Sequence, residues 1–136
     1  LLNKSFKFNK NQIQTSIEMS STFEEELFYI GEWNLHFNNY DALLINQQAI
    51  EDTLTLYTST LTIEDNVLNK TFTFSFEKKT EIFIFKIKSI SQSEAGVDYT
   101  TQGLSFGFKH PFCKDLKLKY HFKLSTNNKK SVYKQN

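Results

Sequence analysis

The sequence contains little glycine, proline or cysteine, and it contains no arginine. Its 136 residues include four Gly, one Pro and one Cys, and all sixteen basic residues are Lys. So little Gly and Pro argues against a collagen-like or low-complexity chain, and a single Cys excludes an internal disulfide framework. The absence of Arg removes the side chain that contacts phosphate in a bidentate manner, so the sequence disfavours nucleic-acid binding.

Long apolar segments are also missing. No apolar run exceeds about four residues, as at 27–30 and 82–85, whereas a transmembrane helix needs about 20. The chain begins at Leu1 and no apolar leader follows, so we expect a processed form or an excised fragment. The sequence indicates no cofactor and does not specify a compartment.

The strongest positive signal is the alternation of apolar and polar residues, which is typical of half-buried β-strands. In the clearest case, Leu116, Leu118 and Tyr120 alternate with Lys117 and Lys119. Patterns of this kind, together with Thr- and Leu-rich stretches, predict nine strands, at 4–8, 12–19, 32–38, 42–46, 53–63, 70–78, 81–90, 103–109 and 116–125.

Three local features refine this prediction. The strand at 53–63 is expected to bend near Ser59. The polar residues 77–80 are expected to connect two strands as a hairpin. The segment Ser-Thr-Phe-Glu at 21–24 resembles a helix-capping box, which predicts a short helix at 22–30.

The strand count decides the expected fold class. We predict one all-β domain at 1–125, and a polar, basic and flexible tail at 126–136. Because nine antiparallel strands must hide their edges, we expect a single antiparallel β-barrel with one short N-terminal helix, and alternatively a β-sandwich or jelly roll.

The net charge of +1 conceals a strong segregation. Residues 18–65 carry ten acidic side chains and no Lys, whereas residues 66–136 carry thirteen Lys and five acidic side chains. Acidic and basic strands that lie side by side would neutralise one another. Alternatively, the two segments form surfaces for a protein partner.

One short motif resembles a known family. Gly31-Glu32-Trp33 follows the predicted helix and opens a predicted strand, and this resembles the calycin superfamily of lipocalins and fatty-acid-binding proteins. The resemblance implies a barrel with an apolar small molecule inside. The side chains expected to line it are Trp33, Leu35, Phe37, Phe74, Phe85, Phe106, Tyr120 and Phe122. The S-type bilin lyases share part of this motif and provide a remote alternative.

Two further motifs suggest chemistry but lack the required context. Gly103-Leu104-Ser105-Phe106-Gly107 matches a nucleophile elbow, yet its residues alternate as in a strand with no helix after it, so we interpret the match as chance. His110, Cys113, Asp115 and His121 are the metal-capable cluster, but the spacing and the single Cys do not suit zinc, so no metal site is predicted.

The sequence therefore predicts a non-enzymatic protein that holds an apolar small molecule in a Phe-rich barrel. The alternative is a structural or assembly module that contacts a protein partner through the acidic segment 18–65 and the basic segment 66–136. The remote alternative is a chromophore carrier similar to the bilin lyases.

Overall fold

The computed structural model describes residues 1–127, and these form an all-β, antiparallel structure. Its strands are β1 (Leu2–Asn9), β2 (Gln12–Ser20), β3 (Leu27–Leu35), β4 (Leu43–Ile45), β5 (Thr53–Asp65), β6 (Lys70–Ser93), β7 (Gly96–Phe112) and β8 (Asp115–Thr126). One 3-10 turn, Tyr40–Ala42, precedes β4. The all-β prediction is confirmed. Over residues 1–127, no helix has the length and apolar character needed to cross a bilayer.

The strands form two layers that share β5 and β6. The larger layer has the order β1-β2-β8-β6-β5-β4, and β7 pairs with β6 and with β3 to form the smaller layer. Because β1, β3 and β4 each have one strand partner, the sheet has open edges and does not close. The predicted barrel is therefore wrong, and the alternative of a sandwich-like fold fits. The long shared strands let the apolar faces bury one another without closure.

The predicted hairpin at 77–80 is wrong, because these residues lie inside the continuous strand β6. On the neighbouring strand β5, the pairing register shifts between Thr58 and Thr60, which confirms the bend expected near Ser59. A shift of this kind bends and twists a strand pair. The polar residues thus mark the point where β6 passes from one layer to the other.

The predicted helix at 22–30 is also wrong. The Ser21 hydroxyl does accept a hydrogen bond from the Phe23 backbone N–H at 3.1 Å, but no helix follows, and β3 begins at Leu27. The whole of β3 pairs with β7, and its residues Tyr29 and Trp33 pack on the core. Strand pairing and burial therefore override the local capping signal.

Acidic and basic residues stand opposite one another in the larger layer. β2 pairs with β8, where Glu18 stands opposite Lys117, and β5 pairs with β6, where Asp65 stands opposite Lys70. This pairing explains how a chain with segregated charge folds without strong repulsion. The predicted tail at 126–136 lies almost entirely outside the described residues.

Candidate functional site

Five of the eight residues predicted to line a ligand site meet in the core. Their rings lie close together: the Phe74 centroid is 4.4 Å from that of Phe106 and 4.6 Å from that of Phe122. Trp33 stacks on Phe122 at 5.4 Å, and its Nε1 donates a hydrogen bond to the Tyr120 hydroxyl at 3.0 Å. Burial raises the pKa of Tyr120. These contacts are the packing of a filled interior.

The other three predicted residues lie around or away from this cluster. Phe37 is buried and makes an edge contact with Phe72, at 5.5 Å between centroids, and Leu35 packs partly buried against the core. Phe85 is exposed, because it points away from the core on the outer face of the smaller layer.

Gly31 of the Gly31-Glu32-Trp33 motif has a packing role. A Cβ atom at this position would overlap the ring of Phe108, which is fully buried on the neighbouring strand β7. Only glycine leaves room for this close approach. The motif therefore reflects the contact between β3 and β7, whereas the resemblance implied a barrel strand.

Ser105 lies in the middle of strand β7, as the alternation predicts, and no helix follows it. It is buried, and its hydroxyl donates a hydrogen bond to Glu32 Oε1 at 3.1 Å. Cys113 is exposed, and its thiol contacts the backbone oxygen of Glu24 at 3.3 Å. Across residues 1–127, no group of three or more His, Cys, Asp or Glu side chains is placed to hold a metal ion.

A two-stranded arm extends beyond the sandwich. It comprises residues 88–101, in which the end of β6 pairs with the start of β7 over six residue pairs, from Lys88 opposite Thr101 to Ser93 opposite Gly96. At about 3.3 Å per residue, the arm is about 20 Å long. Ile90, Val97 and Tyr99 are at least half exposed on it. No element was predicted for 91–102, although the apolar residues Val97 and Tyr99 in this polar stretch were a signal.

A cleft opens where the two layers diverge. The strand β6 pairs with β8 as far as Phe76 and with β7 from Glu81 onward, so residues 77–80 pair with neither. The resulting cleft has a volume of about 470 Å³. This is within the range of about 300 to 1,000 Å³ that is usual for small-molecule sites.

Two groups of strands form the walls of the cleft. On one side, Tyr57, Glu81 and Lys109 lie next to each other in a row across β5, β6 and β7. On the other side, residues 116–119 of β8 contribute two leucines and two lysines. The sequence did not reveal this site, because its residues come from five strands and only the strand pairing brings them together.

The cleft combines positive and negative charge with exposed rings. Its charged side chains are Lys78, Lys79, Lys109, Lys117, Lys119, Glu77 and Glu81. Within the described part of the chain, none of these lysines forms a salt bridge, whereas Lys88 pairs with Asp52 at 2.5 Å. The ammonium of Lys109 lies 4.1 Å from the ring centroid of Phe28. Burial lowers the pKa of His110 beside the cleft, so its ring is neutral near pH 7.

Comparisons with known proteins identify the family. A family model described as the C-terminal region of α-amylase and 4-α-glucanotransferase matches residues 1–124. The chain belongs to this family. An α-amylase from Pyrococcus horikoshii is 47% identical over 49 residues, which are 36% of this chain and 8% of that protein.

Solved structures agree with the family in fold. The crystal structure of 4-α-glucanotransferase from Thermococcus litoralis is similar with a TM-score of 0.75 and 20% sequence identity, over 90% of this chain and 18% of that one. The crystal structure of HI1317 is similar with a TM-score of 0.58 and 12% identity, over 89% of this chain and 63% of that one. The matched parts of this chain thus span only 8% and 18% of the two named enzymes.

The family overturns the functional predictions. The resemblance to calycins is wrong, and so is the predicted non-enzymatic carrier of an apolar ligand, because the relatives are carbohydrate-active enzymes. The alternatives of an assembly module and of a bilin-lyase-like carrier are wrong for the same reason. The prediction that the chain has no enzymatic role is also contradicted, since the family model describes part of such enzymes.

Proposed function

We propose that this chain is the C-terminal domain of an enzyme that acts on α-linked glucans, as an α-amylase or a 4-α-glucanotransferase does. The observation that carries the proposal is the family match over residues 1–124. The TM-score of 0.75 to the glucanotransferase, over 90% of this chain, supports the same assignment at the level of fold. In such an enzyme most of the polypeptide lies outside this chain.

The arm supplies the surface through which the domain contacts the remainder of the enzyme. An isolated two-stranded hairpin is marginally stable in water. Burial of its exposed apolar side chains under a partner lowers the free energy and stabilises the hairpin. Ile90, Val97 and Tyr99 have no other strand beside them in the described residues. The protein partner expected from the sequence is, in this proposal, the rest of the same enzyme.

The experiment is to express the longest polypeptide that contains this chain and to incubate it with maltoheptaose and with starch. We expect conversion of both, detected by chromatography of the products. We expect the double variant Ile90→Ser/Tyr99→Ser to lose activity at a lower temperature than the parent, because the domain contact is weakened. No conversion of α-linked glucans would contradict the proposal.

A matched control is available on the edge strand β1. Phe8 is 76% exposed, comparable to Ile90 at 68%, and it lies outside the arm. The variant Phe8→Ser should leave the inactivation temperature unchanged. Equal losses in the control and the arm variants would show that the arm is not the contact surface.

A further inference from the structure

We propose that the cleft between β7 and β8 binds an α-linked glucan oligosaccharide. The α-glucan part of this inference rests on the proposed function, whereas the chemical class, a neutral polyhydroxylated ligand, rests on the cleft itself. No motif in the sequence and no comparison assigns a ligand to these residues. Three properties of the cleft carry the inference: an exposed ring, a mixed set of donors and acceptors, and a suitable size.

The exposed ring is Tyr57. It is 69% exposed and lines the cleft. A sugar ring has an apolar face made of C–H groups, and an aromatic ring provides a flat apolar surface against which such a face packs. A tyrosine is also a rigid contact, because only two side-chain torsions are fixed on binding. Tyr57 therefore offers a platform for one sugar unit.

Donors and acceptors lie directly beside this platform. Glu81 is the neighbour of Tyr57 across β5 and β6, and Lys109 is the neighbour of Glu81 across β6 and β7. A sugar hydroxyl both donates and accepts hydrogen bonds, so a carboxylate next to an ammonium group suits it. In the described residues Lys109 forms no salt bridge. Its ammonium contacts the Phe28 ring, at 4.1 Å from the centroid, and its N–H donors remain available to a ligand beside the Glu81 carboxylate.

The same pattern argues against a purely anionic ligand. Five lysines line the cleft, but Glu77 and Glu81 stand among them. A phosphate group bound to Lys109 would lie close to the Glu81 carboxylate on the neighbouring strand, and the like charges would repel. A neutral ligand avoids this cost and uses both kinds of group. The volume of about 470 Å³ accommodates a short oligosaccharide.

The experiment is a titration of the 15N-labelled chain with maltohexaose, followed by amide NMR shifts. We expect shifts at residues 57, 81 and 109, and about a tenfold or larger rise in Kd for Tyr57→Ala. Glu81→Gln should also raise Kd, and this substitution changes the shape of the side chain less than Tyr57→Ala does. Phe8→Ala is the matched control, because Phe8 is an aromatic residue that is 76% exposed but lies on β1, away from the cleft, and its Kd should equal that of the parent.

Three outcomes would overturn the inference: no shifts with maltohexaose, equal binding of the β-linked cellohexaose, or binding of inorganic phosphate without binding of maltohexaose. Unfolding curves of each variant check that the fold is intact. Failure here is distinguishable from failure of the proposed function. If the longer polypeptide converts glucans while the cleft binds no maltohexaose, only the assignment of the cleft is wrong.

Discussion

The aromatic interior and the arm contain similar apolar side chains in opposite environments. In the interior, Phe74 and Phe106 are fully buried and lie 4.4 Å apart between ring centroids. On the arm, Ile90 and Tyr99 face each other across one strand pair and stay about two-thirds exposed. The interior therefore stabilises the fold within this chain, whereas the arm has apolar surface that the described residues leave uncovered. Substitutions in the two regions should accordingly differ in their effect on stability.

The largest expected effect is that of Phe74→Ala. Removal of this buried ring should lower the free energy of unfolding by about 4 kcal/mol, because both the buried area and the ring contacts are lost. Urea denaturation measures the change. The control Phe8→Ala, on an exposed side chain of β1, should cost less than about 0.5 kcal/mol. Similar losses for both variants would mean that the interior is not the main source of stability.

The next effect concerns Gly31. The variant Gly31→Ala should lower the free energy of unfolding by about 2 kcal/mol, since the new methyl group overlaps the Phe108 ring. Gly107→Ala is the matched control, because a Cβ there meets its nearest atom, the Gly31 oxygen, at an ordinary 3.5 Å.

A double variant separates this clash from other effects of the alanine. Phe108→Leu shortens the side chain that Gly31 accommodates, so Gly31→Ala should cost less in that background than in the parent. An equal cost in both backgrounds would show that the contact with Phe108 is not the reason for glycine at this position.

A smaller effect is expected from pH. Burial lowers the pKa of His110 from its ordinary value of 6.5, so the unfolded chain takes up a proton at a higher pH than the folded chain. Stability should therefore fall as the pH is lowered from 7 through this value, and His110→Gln should weaken that fall. Urea midpoints at several pH values measure it. An equal fall in the parent and in His110→Gln would contradict this prediction.

The smallest effect should come from the arm. In the 136-residue chain alone, Ile90→Ser and Tyr99→Ser should each change the free energy of unfolding by less than about 0.5 kcal/mol, because both side chains are already in water. Thermal unfolding measures this. A loss of more than about 1 kcal/mol would indicate that the arm packs on its own chain, and it would remove the contrast with the interior.

Much of the fold was predictable from local pattern, and the errors have physical reasons. Strands β1, β2, β5 and β8 were predicted almost at their observed bounds, because alternation directly reports a half-buried strand. The segment 22–30 was mistaken for a helix, since a capping signal is local and the pairing of β3 with β7 is not. The polar residues 77–80 were mistaken for a turn, because a bend within one strand and a hairpin between two have similar composition.

The candidate site was less predictable than the fold. Aromatic residues such as Trp33 and Phe106 were correctly grouped by their alternation, but the pattern does not distinguish the lining of a cavity from a filled core. The cleft residues Tyr57, Glu81 and Lys109 are far apart along the chain. These residues lie side by side only because of the register of three strands, and no single segment of the sequence determines that register.

Composition and periodicity were sufficient to establish an all-β, antiparallel chain with a Phe-rich interior, because side chains alternate between two faces whatever the topology. Whether the sheet closes, and where its layers diverge, depends on which strand pairs with each half of β6. That choice minimises free energy over contacts between distant segments, so it emerges only when the chain has folded. The cleft and the exposed arm are consequences of this pairing.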